Sequence, residues 1–533
     1  MKVKTLFMQS ILTFVGFTAF VAIYSWFRLR KDKLSTQEGY FLGGRSLTGF
    51  VIAGSMLLTN ISTEHLIGMN GSAYKNGFII IAWEVTSALA LVVAATYFLP
   101  TYLRMGLTTI PQYLEERFDA TTRTMVALFL LISFVVTLLP IVLFTGAINL
   151  ESIFNISETF DISQSQALWY TVIGIGAIGS CYAIFGGLKA VAYSDTINGV
   201  GLFIGGLLIP ILALWDIGEG NIWTGLNKVY EHSPEHFNVV GAPDSILPFG
   251  TLFTGLVINQ LYFWGMNQTI IQRALGAKSL EEAQKGLLFT GLLKVFIPII
   301  IVLPGVIGFY YFGASLMDNQ DMIYPELIKK VLPISFVGFF AAVVMGAVLS
   351  TFNSVLNSTA TIFSMGIYKR IINKAANDSQ TVRVGKLVSI ILAFVAIMTA
   401  PLVAGAPDGL YQLLQQLNGI FFIPIASVML AGLFIPSISA HGAKAAMLVG
   451  LAFYISTTFI FSVDIHFVHI WGIEFLLNIA VMFGVTYFYP NTQLFIPENK
   501  GYLQLKEWRY TKPFSWILVV LIIGIYIWLG WLI

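Results

Sequence analysis

Fourteen stretches of this 533-residue chain are long and apolar enough to cross a lipid bilayer. Each approaches or exceeds the ~20 apolar residues that a membrane-spanning helix needs. The first covers residues 5–27, the second 46–74, the seventh 246–272, the ninth 332–368 and the last 513–532. Lipid supplies no partner for bare backbone N–H and C=O groups, so continuous apolar runs of this length must be helices. Strands of a membrane barrel would instead be ~10 residues of alternating character. The chain is therefore predicted to be an all-α polytopic membrane protein with 14 transmembrane helices.

Charge then orients the helices. Lys and Arg concentrate on the cytoplasmic side of membrane proteins. Placing the N-terminus outside puts 22 of the 29 basic residues in cytoplasmic connections and six outside, with Lys294 left in mid-span. Both termini are thus expected outside, in a multi-pass cell (inner) membrane protein. A net charge of +2 is too small to suggest a nucleic-acid partner, and no obligate protein partner is evident. The single cysteine, Cys181, excludes an intrachain disulfide. Its connections are too short for a soluble catalytic domain, and no paired carboxylates, metal cluster or nucleophile constellation stands out, so an enzyme is not expected. The outer connection holding Trp223 to Asn238 has the character of a short interfacial helix or lid.

Two spans read oddly for lipid. The second carries Thr59-Asn60-Ile61-Ser62-Thr63-Glu64-His65 at its middle, and the seventh carries Asn259-Gln260-Leu261-Tyr262 followed by Gly265. Polar runs at bilayer depth are costly unless they line a cavity or the helix is broken there. These spans also open two successive five-helix sets, which lie in opposite orientation because five is odd. That is the arrangement of an inverted repeat whose broken first helices meet at the midplane. The predicted organisation is an extra N-terminal helix at 5–27, repeats at 46–215 and 246–435, and three peripheral helices at 441–532. The plainer alternative is that these polar residues only bond helix to helix.

Three charges fall well within spans: Glu84, Lys294 and Asp195. A buried charge is retained for a partner or a ligand. Glu84 and Lys294 could form a structural ion pair. They could equally, with Gln, Asn and His nearby, supply the donors and acceptors that grip a neutral polyhydroxylated molecule, whereas a carboxylate solute would call for Arg. Every Arg is assigned to a loop or a span end. His65 alone could be an ordinary buried histidine. In the ninth span, Ser350, Thr351 and the Asn and Ser residues that follow could help to coordinate sodium, which takes about five oxygens. Such hydroxyls in membrane helices more often bond back to their own backbone.

The runs Asn60-Ile61-Ser62-Thr63-Glu64-His65-Leu66-Ile67-Gly68, Gly186-Gly187-Leu188-Lys189-Ala190-Val191 leading to Asp195, Trp264-Gly265-Met266-Asn267-Gln268 leading to Gln272-Arg273, and Asn357-Ser358-Thr359-Ala360-Thr361-Ile362-Phe363 resemble the sodium/solute symporter family. Several separated motifs in order are more specific than any one of them. The likeness runs from about residue 35 to 490 and is greatest to the sodium/galactose and sodium/glucose symporters. It implies a LeuT-like core of ten helices in two inverted halves. It also implies sugar contacts at His65, Glu84, Ser87, Gln260, Lys294 and Gln415. Sodium would be held by carbonyls of Leu58, Ile61 and Ala347 and hydroxyls of Ser350 and Thr351, with Asp195 as a nearby or transient partner. Phe263 stands where relatives place a gating Tyr, Gln260 replaces an Asn of the galactose carriers, Ser194 and Asn198 replace Thr and Gln beside the aspartate, and Gly366 replaces an Asp.

The expected function is sodium-coupled import of a small polar solute, a monosaccharide of galactose or glucose type, by alternating access, with sodium as the co-transported ion. The rival readings are a symporter for an inositol, nucleoside, sialic acid or carboxylate, and, outside that class, a membrane sensor or a channel.

Overall fold

The computed structural model describes residues 2–30, 34–405, 410–491, 495–501 and 505–530. These residues are helical almost throughout; the one bridge of strand type joins Leu47 to Ala277. The helices used below are α1 (Lys2–Leu29), α2 (Gly49–Asn60), α3 (Gln164–Ile217), α4 (Gly255–Gly265), α5 (Gln268–Leu275), α6 (Leu280–Phe296), α7 (Leu303–Phe312), α8 (Ile334–Thr361), α9 (Leu410–Phe434), α10 (Ala440–Ile455), α11 (Phe467–Phe488) and α12 (Thr511–Gly530).

Among the described residues ten helices are long and apolar enough to cross a membrane, or eleven if the pair Leu280–Phe296 and Pro298–Phe312, bent by 42°, counts as one span. The expected fourteen are not recovered, for a physical reason at each place. At 12 and 11 residues, α2 and α4 are halves of broken spans. Helix continues from Glu64 to Arg104 through what the sequence reads as two spans, turning at Gly77, whose φ is 70°. The fifth and sixth spans follow each other without a loop in α3, 54 residues that form two helices parted at Gly187. A straight helix of that length would measure ~80 Å, far more than a ~30 Å hydrocarbon core. It turns at Gly187, where φ is 58° and ψ is −164°.

Only glycine suits that turn. The backbone is left-handed, and a Cβ on Gly187 would lie 2.5 Å from the Tyr40 carbonyl oxygen. Gly187→Ala is expected to destabilise the protein by about 1–3 kcal/mol through this strain, read as a lower midpoint of thermal unfolding in detergent. The conservative control Gly174→Ala, where a Cβ meets nothing within 4 Å, should not move it.

Helix α8 lies at the centre: the window assessed within its span, Phe336–Ile372, is 94% buried, and α1, α2 and α3 all pack on it. By contrast, the windows of α1 and α12 are each 17% buried and present apolar side chains outward, as lipid-facing helices do. The connection after α3 forms a short amphipathic helix, Ile222–His232, in the place where one was expected.

Candidate solute and ion sites between the broken helices

Both anticipated helix breaks are present. The ladder of α2 closes when the Ile61 amide donates to the Leu57 carbonyl at 2.9 Å; Ile61 and Ser62 are non-helical, and helix resumes beyond them. The carbonyls of the last turn, Leu58 among them, therefore face a break, where a helix leaves acceptors without intrahelical donors. Helix α4 ends at Gly265, and after Met266 the Asn267 side chain caps α5 by accepting from the Thr269 amide at 3.0 Å. The sequence signal lay some residues earlier, at Asn259 to Tyr262; these stay helical, with Asn259, Gln260 and Tyr262 buried.

Helix α8 runs past the break in α2. Thr351 Oγ1 donates to the Thr59 carbonyl at 2.9 Å, and Thr59 Oγ1 lies 3.4 Å from Ser350 Oγ and 3.1 Å from Ser354 Oγ. Ala347, Ser350 and Thr351 share one face of α8, three and four residues apart, and all three are buried, as are Leu58 and Ile61. Ser350 and Thr351 thus meet the break, with Ala347 one turn away on the same face of α8. Asp195 lies beside them on α3, accepting from Ser55 Oγ at 2.6 Å through Oδ2.

A cavity of about 60 Å³ lies between the two breaks. His65, Glu84, Gln260, Lys294, Gln415 and Phe263 all line it. Ser87 does not: its hydroxyl is buried against its own helix and donates to the Glu84 carbonyl, the back-bonding that competes with any ligand role. Lys294 Nζ, from α6, donates to a Glu84 carboxylate oxygen and to Asn60 Oδ1 at 2.5 Å, and lies 5.3 Å from the centre of the Trp264 ring. Gln260 donates to the Trp83 carbonyl at 2.7 Å and accepts from the Trp264 indole at 3.1 Å. The His65 ring packs edge-on to Tyr411 with centroids 5.3 Å apart, and its Nδ1 is 3.6 Å from a Glu64 oxygen. The wall is therefore a mixed set of donors and acceptors bonded to one another, without an arginine among the described lining residues.

Two residues escaped the sequence reading here. Arg273, assigned to a cytoplasmic connection, is wholly buried on α5. Its guanidinium donates to Ser55 Oγ at 2.9 Å, to Ser354 Oγ and to the Thr269 carbonyl, and it stands 3.7 Å from Asp195 Oδ2. The sequence assigns every arginine to a loop or a span end; Arg273 stands at such an end yet is buried, because α5 packs on Ser55 of α2 and Ser354 of α8. Glu474, on α11, is a further ionisable residue inside a span, beyond the three read from the sequence. The signal for it was plain: one acid in an otherwise uncharged 22-residue helix.

A larger cavity of about 1000 Å³ lies elsewhere, among Glu38, Arg45, Glu115, Arg123, Lys369 and Arg370. None of the expected solute contacts borders it, and its charged rim suits a water-filled vestibule better than a binding site. At Glu115 burial pushes the carboxyl up, but hydrogen bonds and charge from Arg370 and Arg123 outweigh it and hold the group below the usual carboxylate value.

Comparison with known proteins completes the assignment. The model of the family described as Sodium:solute symporter family matches residues 40–450. An uncharacterized symporter, YidK, of Escherichia coli (strain K12) is 44% identical over 516 residues, covering 97% of this chain and 90% of its own. The sodium/glucose cotransporter of Vibrio parahaemolyticus is 35% identical over 447 residues, 79% of this chain and 80% of its own. A solved structure of a Na+-coupled sialic acid symporter in a substrate-bound outward-open state matches with a TM-score of 0.78 at 21% identity, over 92% of this chain and 99% of that one, which shows the shared LeuT-like fold. From the broken helices, the oxygen-rich junction between α2 and α8 and the match across residues 40–450, this multi-pass membrane protein belongs to the sodium:solute symporter family and is a sodium-coupled transporter, not an enzyme.

Proposed function

We propose that the solute is a neutral polyhydroxylated molecule, a monosaccharide of galactose or glucose type, carried inward across the cell membrane with sodium by alternating access. The observation that carries this reading is the Lys294–Glu84 pair in the cavity wall. The ammonium is already balanced by a carboxylate, so a carboxylate solute would meet an engaged cation and a repelling anion, whereas hydroxyls can donate to Glu84 and accept from Lys294. Gln260, Gln415 and His65 extend the same chemistry around the cavity. The name of the Vibrio relative supports a hexose. Phe263 would close the cavity by packing alone, since it lacks the hydroxyl that a Tyr would offer.

In this reading sodium binds first, to the carbonyls of Leu58, Ile61 and Ala347 and the hydroxyls of Ser350 and Thr351, and stabilises the outward-open form. Asp195 takes the ion transiently on its way to the cytoplasm. Energy is sufficient: one sodium ion crossing about −100 mV supplies about 2.3 kcal/mol, and a tenfold gradient adds about 1.4 kcal/mol. The two repeats, 46–215 and 246–435, would rock about this site, with both termini outside.

The test is uptake of radiolabelled galactose and glucose into proteoliposomes under an inward sodium gradient, comparing wild type with Ser350→Ala. Uptake should require sodium, and Ser350→Ala should raise the sodium concentration for half-maximal rate about tenfold, as expected when one charge-assisted contact worth about 1.5 kcal/mol is lost. Sodium-dependent thermal protection without movement of either sugar would reject the hexose. An unchanged sodium requirement in Ser350→Ala would reject the ion site.

A further inference from the structure

Behind the helix that carries Gln415 lies a carboxyl that solute and sodium binding do not use. Glu474 on α11 is 0% exposed; no donor lies within ordinary hydrogen-bond length of its oxygens, and the polar neighbour facing it is the Asn478 amide. Asn478, one turn further along, is also 0% exposed. Its Nδ2 donates to Ser427 Oγ on α9 at 3.2 Å, while its Oδ1 is left without a partner. Both side chains converge on Gly450 of α10, where a Cβ would meet Asn478 Oδ1 at 2.5 Å, Asn478 Nδ2 at 2.6 Å and Glu474 Oε1 at 2.9 Å. A carboxylate buried here without a hydrogen bond of ordinary length, beside an amide oxygen that also lacks one, is costly.

Among the described residues nothing charged comes to their aid. Helices α4, α9 and α11 hold no Lys or Arg. On α10, Lys444 is bonded to Asp119 at 2.7 Å and His441 is stacked on Tyr489. On α11 itself, His469 lies 3.0 Å from Thr254 Oγ1. The titratable group facing the site is Tyr454 of α10, whose hydroxyl donates to the Gln416 carbonyl at 3.0 Å; the neighbouring segment 456–460 brings only Thr458. A single proton resolves the conflict, because a protonated carboxyl becomes a donor and Asn478 Oδ1 is the acceptor beside it.

We propose that Glu474 and Asn478 form a proton-binding site in the scaffold of this symporter, and that the bound proton supports the transport-competent form. In the bound state the Glu474 O–H donates to Asn478 Oδ1; in release the O–H bond breaks, the electron pair stays on the carboxylate and the proton passes to water. The site is tied to the solute cavity through two contacts with α9, Asn478 to Ser427 and Tyr454 to Gln416, the latter adjoining Gln415. A third link is Trp471, edge-on to Trp83 at 6.3 Å, the residue whose carbonyl accepts from Gln260. Losing the proton puts an unpaired negative charge against Asn478 Oδ1, which separates α11 from α9 and disturbs the cavity wall.

The test is infrared spectroscopy of the purified full chain in sodium buffer across a pH series, comparing wild type with Glu474→Gln, a neutral isostere. Wild type should show a protonated-carboxyl band at neutral pH that Glu474→Gln lacks and that disappears on alkalinisation. This readout needs no solute, so it is independent of the hexose proposal. Galactose uptake should fall about tenfold over the same pH range in wild type, within the usual span of coupling between sites, and stay flat in Glu474→Gln. Asn478→Ala, which keeps the acid but removes its acceptor, should move the loss of the band to lower pH. Identical spectra for wild type and Glu474→Gln would overturn the site. So would loss of the band on adding sodium at constant pH, which would mark a metal-ion site instead. A pH profile of uptake shared by wild type and Glu474→Gln would overturn the link to transport.

Discussion

Lys294→Ala is expected to abolish sodium-driven sugar uptake and to lower stability by about 3–5 kcal/mol, the range found when one partner of a buried ion pair is removed. The size follows from burial. Lys294 is 1% exposed and Glu84 also 1%, so the carboxylate left behind has no water to solvate it. Asn60, which accepts from Lys294 at 2.5 Å at the end of α2, loses its donor as well. The double variant Lys294→Gln with Glu84→Gln removes both charges and should recover most of the unfolding midpoint, because two neutral amides can bond to each other. It should not recover uptake if the pair grips the solute. Recovery of uptake with stability would show that the pair is only structural and would sink the hexose-binding role assigned to it. The measurements are thermal unfolding of the purified protein and initial rates in proteoliposomes.

The second large effect is expected at Arg273. Replacing it with Ala removes the cation nearest to Asp195, 3.7 Å away, together with donors to Ser55 and Ser354. These contacts join α5 to α2 and α8 at the level of the break, so the loss spreads to three helices. A cost of about 3–5 kcal/mol is expected, with much of the yield of folded protein lost. Adding Asp195→Asn should recover part of it, since the stranded charge is then gone, whereas Asp195→Asn placed with Lys294→Ala should recover nothing. If Arg273→Ala unfolds at the wild-type midpoint, the guanidinium is not bearing on the core and the geometry described for α5 is wrong. Because Ser55, Ser354 and Asp195 adjoin the residues proposed for sodium, thermal protection by sodium should also weaken in Arg273→Ala, read as a smaller shift of the midpoint between sodium and choline buffers.

Much of this molecule could be read from the order of its residues. Continuous apolar runs name the solvent, and a backbone with no partners in lipid must be helical. The polar interruptions at Thr59 to His65 and at Asn259 to Gly265 pointed to two broken spans, and both breaks are present, the second a few residues downstream because Asn267, not Asn259, caps the new helix. The count of spans was less legible. Hydropathy is a property of windows: it divided the fifth span from the sixth at residues 187–189, where Gly187 turns the chain, but it cannot see that α2 and α4 are too short to span alone.

Side-chain roles divided in the same way. Lys294 and Glu84 were visible as charges too costly to leave unpaired in lipid, whatever they pair with. Ser87 was not, since the same hydroxyl can face a cavity or its own helix, and here it bonds the Glu84 carbonyl. Arg273 carries a charge at what looks like the end of a span, yet it is buried because Ser55 of α2 and Ser354 of α8 pack on it. Sequence by itself determined the solvent, the helical class, the two breaks and the chemistry gathered near them, because each depends on local composition and on what lipid withholds. Tertiary structure alone decided which polar atoms meet: Arg273 with Asp195, Thr351 with Thr59, Glu474 with Asn478, since those distances depend on how separate helices pack and no local pattern encodes them.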